Sequence, residues 1–418
     1  MTGRSSGLRR WTYRFVLASA GSFVAFQALA LSDVDPATAA LVGVLGFVCP
    51  MVFGMGYLLF PSFVGETLID RRFAGVHFGL AYAGLGLLAF GRLSGRPDGP
   101  AALAGVGLWS LGAVVFLAAI SATVVVAVRG SPETARRALA GGDQAARVAT
   151  ATIPVAAAFL LFGTVALVAA TVPPEAAPAA MTPITALSTA VVPDVVGVVT
   201  LPRAVHLIAI GFGALPVYAV GIRLLPGFFH TGVPGPLAAV VLPAGVVAPA
   251  LLGAARWVDP WFGLGAAAAV IAMVGYLAIV AVVIGRADRR RVGAFGVLLG
   301  AIAGVAAVLA AATVAFGGLV VVTPGTALAI HRALVLGGFF PLTIAGYAFL
   351  FFPVASGRYP GASARTARTT VVLLAAGAGC QAIGLLLGTF PVRCLGGALS
   401  ILGGFGYAFL LGARFLQD

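Results

Sequence analysis

Lysine is absent from this chain. Its 25 basic residues are all arginine, its acidic residues number 12, and only 9% of its 418 positions are charged. A soluble domain of this length carries far more charge, so a water-soluble globule is excluded. Cysteine is equally scarce. Cys49, Cys380 and Cys394 are odd in number and lack metal-ligand spacing. They exclude a disulfide framework and read as small apolar fillers. No phosphate-binding loop, zinc signature or nucleophile elbow occurs, which removes the commonest catalytic classes. The net charge of +13 does not imply nucleic acid, because the arginines are distributed as membrane topology demands.

What is present is apolar sequence, 61% of the chain. A spanning helix needs about 20 predominantly apolar residues. Twelve such runs lie near 11–31, 38–61, 73–91, 101–128, 147–171, 203–226, 235–254, 262–285, 292–316, 328–353, 368–389 and 392–416. They leave no room for a sizeable soluble domain. With the N-terminus inside, only Arg92, Arg96, Arg203, Arg256, Arg332 and Arg393 fall outside, and the other nineteen face the cytoplasm. The positive-inside rule therefore predicts a multi-pass protein of the cell membrane with both termini cytoplasmic. The start of the chain, with Ala28-Leu29-Ala30 after a basic and then an apolar stretch, also fits a cleavable signal. Its removal would break the helix count. The longest connection, 172–202, is expected outside, with Ile184 to Val199 on the membrane surface or tucked into the bundle.

One pattern is written three times. Residues 46–65 read GFVCPMVFGMGYLLFPSFVG, 211–227 read GFGALPVYAVGIRLLPG, and 338–357 read GFFPLTIAGYAFLFFPVASG. Each opens with Gly-Phe and reaches a proline fifteen residues after the glycine: Pro61, Pro226 and Pro353. These are the second, sixth and tenth runs. Four runs separate each copy from the next, so the copies cross in the same direction. The predicted fold is all-α, a bundle of 12 transmembrane helices in three four-helix pseudo-repeats, roughly 1–140, 141–288 and 289–418, within a single membrane domain. Each closing proline also reads simply as a helix stop. Gly296, Gly300 and Gly304 form a stripe of small residues expected to admit a neighbouring backbone.

No acidic residue lies deep in a run, which argues against a proton-coupled transporter or pump. His206 lies twenty residues before Pro226, and His331 twenty-two before Pro353. At 1.5 Å per residue both sit roughly 30 Å above the inner proline, at one depth near the outer face. Neutral imidazole ligates iron, copper and zinc, so the pair suits an axially held haem. Each alone reads equally as an interfacial histidine. Arg203, Arg332 and Arg393 share that level, against the charge rule, and suit haem propionates or another anion, or plain snorkelling. His77 and His230 read as solvated or capping residues. Tyr347, Tyr359, Tyr407, Trp257 and Trp261 read as an aromatic belt rather than a redox relay.

The tenth run, with His331, Leu334-Val335-Leu336, Gly346, Phe351-Phe352-Pro353 and Gly357, resembles the tenth helix of haem-copper oxidase subunit I. Pro50, Gly54, Gly56, Pro61 and Gly65 resemble its second. That family has twelve helices in three four-helix arcs. NnrS-type membrane proteins are a second, more distant resemblance. The departures are specific. The low-spin haem ligand of helix two is replaced in the region Thr38-Ala39-Ala40. The second histidine of the tenth-helix pair is Ala333, and helices six and seven lack the copper-site histidines. Only His331 aligns with a family haem ligand. His206 joins it through the internal repeat. The resemblance thus implies a divergent relative without the copper site, holding one b-type haem through His206 and His331, in respiratory electron transfer or nitric-oxide and haem handling. Oxidase or nitric-oxide reductase activity is not expected. The expected partners are the lipid bilayer, haem and other membrane subunits, and not nucleic acid. The alternative is a cofactor-free transporter, channel or assembly partner on the same scaffold.

Overall fold

Twelve helices are long and apolar enough to cross a membrane: α1 (Gly7–Leu31), α2 (Pro36–Ser62), α3 (Arg72–Leu93), α4 (Pro100–Gly130), α5 (Gln144–Thr171), α6 (Leu201–Phe229), α7 (Gly235–Gly253), α8 (Pro260–Gly285), α9 (Val292–Phe316), α10 (Pro324–Phe351), α11 (Ala364–Leu386) and α12 (Phe390–Phe415). The protein is described by a computed structural model covering residues 2–140, 142–172, 200–254, 260–288, 291–317, 322–354 and 359–417. No strand occurs among the described residues. The membrane-spanning count of the sequence reading holds. The segment 173–199, with Glu175, Asp194 and the Ile184–Val199 stretch, lies outside the described residues, as do Arg256 and Trp257. A short helix, Pro132–Ala140, follows α4 and was not expected.

The three patterned helices occupy the centre. In the most apolar window of α2, α6 and α10, 94%, 67% and 89% of positions are buried, against 33–44% in the other nine. Apolar sequence alone does not tell lipid-facing from protein-facing helices. Here the small residues do, because without water the association of helices rests on close packing. The three meet at Gly213 of α6, where a Cβ would lie 2.9 Å from Val48 of α2 and 3.1 Å from Phe340 of α10. Their first turns converge at one end, where Ala37, Pro202 and Leu328 line one cavity. Their last turns converge at the other, around Leu59, Val220 and Phe351. The three therefore run in the same direction. The ends are called below the histidine end and the proline end.

Around this centre, α1 packs on α2, α5 on α6 and α9 on α10, while α3–α4, α7–α8 and α11–α12 form hairpins. Contacts of α4 with α5, α8 with α9, and α12 with α1 close the ring. The Gly296, Gly300 and Gly304 stripe faces α10: a Cβ on Gly296 would come within 2.8 Å of the Gly346 Cα.

Each central helix contains a wide π turn: Val42–Val48, Leu207–Ala214 and Val335–Phe339. Each is followed at the second position by a proline: Pro50, Pro216 and Pro341. A proline inside a helix has no N–H to donate, and its ring crowds the carbonyl four residues back. Widening the preceding turns relieves the crowding, which is why the π segments lie on that side. The carbonyl so released in α2 belongs to Gly46, and it accepts a hydrogen bond from the Tyr82 hydroxyl at 3.2 Å. The closing prolines stop their helices less sharply than expected. Pro61 and Pro226 lie just inside the last turn, and Pro353 lies just beyond Phe351.

Candidate functional site

Two imidazoles face one space at the histidine end. His206 stands in the first turns of α6, just before its π segment, and His331 holds the equivalent place in α10. Their ring centroids are 6.2 Å apart and their planes differ by 6°. The Nδ1 of His206 lies 2.7 Å from the Pro202 carbonyl, one turn back. The Nδ1 of His331 lies 2.9 Å from the Ala307 carbonyl of α9. A carbonyl only accepts, so Nδ1 carries the proton in each neutral ring. Each Nε2 is left with a lone pair. This is the tautomer a metal-ligating histidine adopts, with its second nitrogen anchored by a carbonyl.

Both rings line two adjoining cavities of about 190 Å³ and 70 Å³. The larger opens toward α2, and small residues such as Ala40, Ala209, Ala269 and Ala272 leave its space. The smaller runs toward Leu252 and Phe262. Apart from the histidines, side-chain polarity comes from Arg332 and Tyr218 in the larger and Arg203 in the smaller. Four of the five residues singled out by sequence thus come together. Arg393 does not. It lies on α12, donates to the Ala30 carbonyl of α1 at 3.2 Å, and lines neither cavity. No group of three or more histidine, cysteine or acidic side chains that could hold a metal ion occurs among the described residues.

The rim of the larger cavity is fixed by charge. Asp35 caps α2, accepting from the Ala37 and Thr38 amides at 3.1 and 3.3 Å, and pairs with Arg92 at 2.9 Å. The Arg92 Nε also donates to the Thr38 hydroxyl at 2.9 Å. Partial burial alone would raise the Asp35 carboxyl, but the Ala37 amide and Arg92 outweigh it and hold it below its ordinary value. Thr38 is therefore committed to the cap.

Several residues depart from the sequence reading. His77 is neither solvated nor a cap. It is fully buried, its Nδ1 shares a hydrogen bond with the Tyr57 hydroxyl at 3.1 Å, and Phe53, Phe15 and Phe116 stand 4.3, 5.2 and 5.7 Å from its centroid. Tyr347 and Tyr407 are core residues, not belt residues. The Tyr347 hydroxyl meets that of Tyr276 at 2.6 Å, and the Tyr218 ring lies tilted against Tyr276 with centroids 4.9 Å apart. Trp261 and Tyr359 are exposed, as a belt requires. His230 is the left-handed cap that ends α6. A buried polar link absent from the sequence reading joins Gln381 of α11 to Gln27 of α1 and Ser400 of α12, each at 3.1 Å.

No protein-family model matches this chain, and no curated protein matches it at a significant level.

Proposed function

We propose that this protein is a divergent member of the haem-copper oxidase subunit I type that holds one b-type haem between His206 and His331 and has no copper centre. The single observation that carries the reading is the carbonyl-anchored, parallel imidazole pair. The two rings, 6.2 Å apart between centroids, both border one space, so a group held there would lie within reach of both. A haem is larger than either cavity, so holding one draws on both, and both border the pair. Arg332 and Arg203 then lie where propionates need cations. Arg393 has no such role.

Three four-helix units in a ring, with α2, α6 and α10 at the centre, are the architecture that supports this kinship. The repeated Gly-Phe, π turn and proline favour the same reading. When bound, the haem would supply a one-electron centre, in respiratory electron transfer or nitric-oxide and haem handling. The chain's own contribution is to fix both Nε2 lone pairs, to exclude water with alanine and phenylalanine walls, and to neutralise carboxylates at the rim. The absence of carboxylates from all twelve spans disfavours an ion-pumping alternative.

Protein purified after expression with haem supply is expected to show a Soret band. His206→Ala and His331→Ala should each abolish or shift it while Arg393→Gln leaves it in place. A parent protein without a Soret band overturns the reading and leaves the cofactor-free scaffold.

A further inference from the structure

At the proline end, far along the bundle from the histidines, three arginines share one recess. Gly7, Arg10, Trp11 and Arg14 fall on one face of α1, at the i, i+3, i+4 and i+7 positions. Arg71 reaches the same place from the connection between α2 and α3. These five residues line a recess of about 280 Å³. Gly7 leaves the room Arg71 uses: a Cβ there would lie 2.8 Å from the Arg71 Cδ and closer still to its guanidinium. Arg14 is held by the Trp11 ring, with its guanidinium carbon 4.3 Å from the centroid.

No carboxylate lines this recess. No ion pair joins Arg10, Arg14 or Arg71 to an acidic side chain among the described residues. Like charges at i and i+4 repel, and the third arginine adds to that cost. A compact anion with several acceptor oxygens offsets it. Guanidinium forks match phosphate oxygens two at a time, which a chloride ion cannot do. The depth is also defined. Arg14 is the last charged residue before Leu31, so Arg10 and Arg14 stand at the polar end of the helix, about 6 Å apart along its axis. That is headgroup depth, and Trp11 between them is a residue that favours the interface. Basic pockets at helix ends suit phosphate-bearing lipids for these reasons.

We propose that Arg10, Arg14 and Arg71 form a binding site for a phosphate-bearing anion, supplied by an anionic phospholipid headgroup or by a soluble phosphate. Two arms separate the sources. Native mass spectrometry of the detergent-purified full chain, offered phosphatidylglycerol and phosphatidylcholine in equal amounts, reads the lipid. Thermal melting in lipid-free detergent with inorganic phosphate or pyrophosphate reads the soluble ion. The parent chain should retain phosphatidylglycerol preferentially, or melt higher with phosphate. The double variant R10Q/R71Q should lower that affinity about tenfold or more. R129Q/R147Q, which removes as much charge elsewhere, should leave it unchanged. Gly7→Val keeps every charge but displaces Arg71, and should weaken binding if R10Q/R71Q does not fold. Retention in the lipid arm alone assigns a headgroup, and a response in the other arm alone assigns a soluble phosphate. Failure of the parent in both arms, equal loss in R129Q/R147Q, or unaltered binding by both R10Q/R71Q and Gly7→Val overturns the proposal.

Discussion

His77 shows what a single residue costs when its surroundings are apolar. Tyr57 satisfies one of its nitrogens, while its Nε2 is buried with no hydrogen-bond partner among the described residues. Removing a buried partner leaves the remaining group unpaired, at about 1–3 kcal/mol, whereas removing both ends is far milder. Tyr57→Phe should therefore destabilise the protein by that amount in detergent unfolding. The double variant Tyr57→Phe/His77→Phe should recover most of it. Additive losses in such a cycle would mean that the bond contributes nothing. The sequence hid this site because His77 comes five residues after Arg72, where a helix start reads as interfacial. Its walls come from α1, α2 and α4, and only the fold brings Phe15, Phe53 and Phe116 together. His206 and His331 were legible for the opposite reason. Their depth follows from counting along one helix each, and no third element was needed to pair them. Arg393 shares that depth, but depth says nothing about position around the ring, and its helix turns it toward α1 and α11.

Among elements, the central helices carry the clearest internal logic. In each, a proline two residues beyond the π segment explains the widening, and a glycine near it lets a neighbour come close. Pro50, Pro216 and Pro341 were in plain view in the sequence. Their spacing from the Gly-Phe start drifts from copy to copy, whereas Pro61, Pro226 and Pro353 match to the residue, so only the π turns give the earlier prolines a meaning. Backbone meets backbone where α9 packs on α10. A Cβ on Gly346 would lie 2.5 Å from the backbone nitrogen of Val297, and backbone cannot rotate aside as a long side chain does. Overpacking of this kind costs about 1–3 kcal/mol or more. Gly346→Val should lower the melting temperature of the purified protein clearly, while Gly79→Val, at a position with nothing within 4 Å, should leave it nearly unchanged. A comparable loss at both glycines would show that helix propensity, rather than interhelical contact, governs the effect.

At the scale of the molecule, ring closure and charge asymmetry constrain each other. Because α12 returns to pack on α1, an even number of crossings brings both ends of the chain to one face. The central helices all begin at the histidine end, so Asp35, Arg92 and the rim of the cavity share the opposite face. Arginines cluster at the proline end, in the N-terminal stretch, the α2–α3 connection and the α4–α5 connection, whereas the histidine end holds few. We propose from the positive-inside rule that the proline end faces the cytoplasm and the imidazole cavity opens toward the outer leaflet. This assignment predicts labelling as well as topology. A cysteine placed at Arg129 should react with a membrane-impermeant maleimide only after the cells are opened, and one at Arg96 should react in intact cells, each in a background lacking the three native thiols. The reverse pattern would invert the molecule. It would turn the cavity toward the cytoplasm and move the three-arginine recess to the other leaflet, away from the anionic surface of the cytoplasmic face.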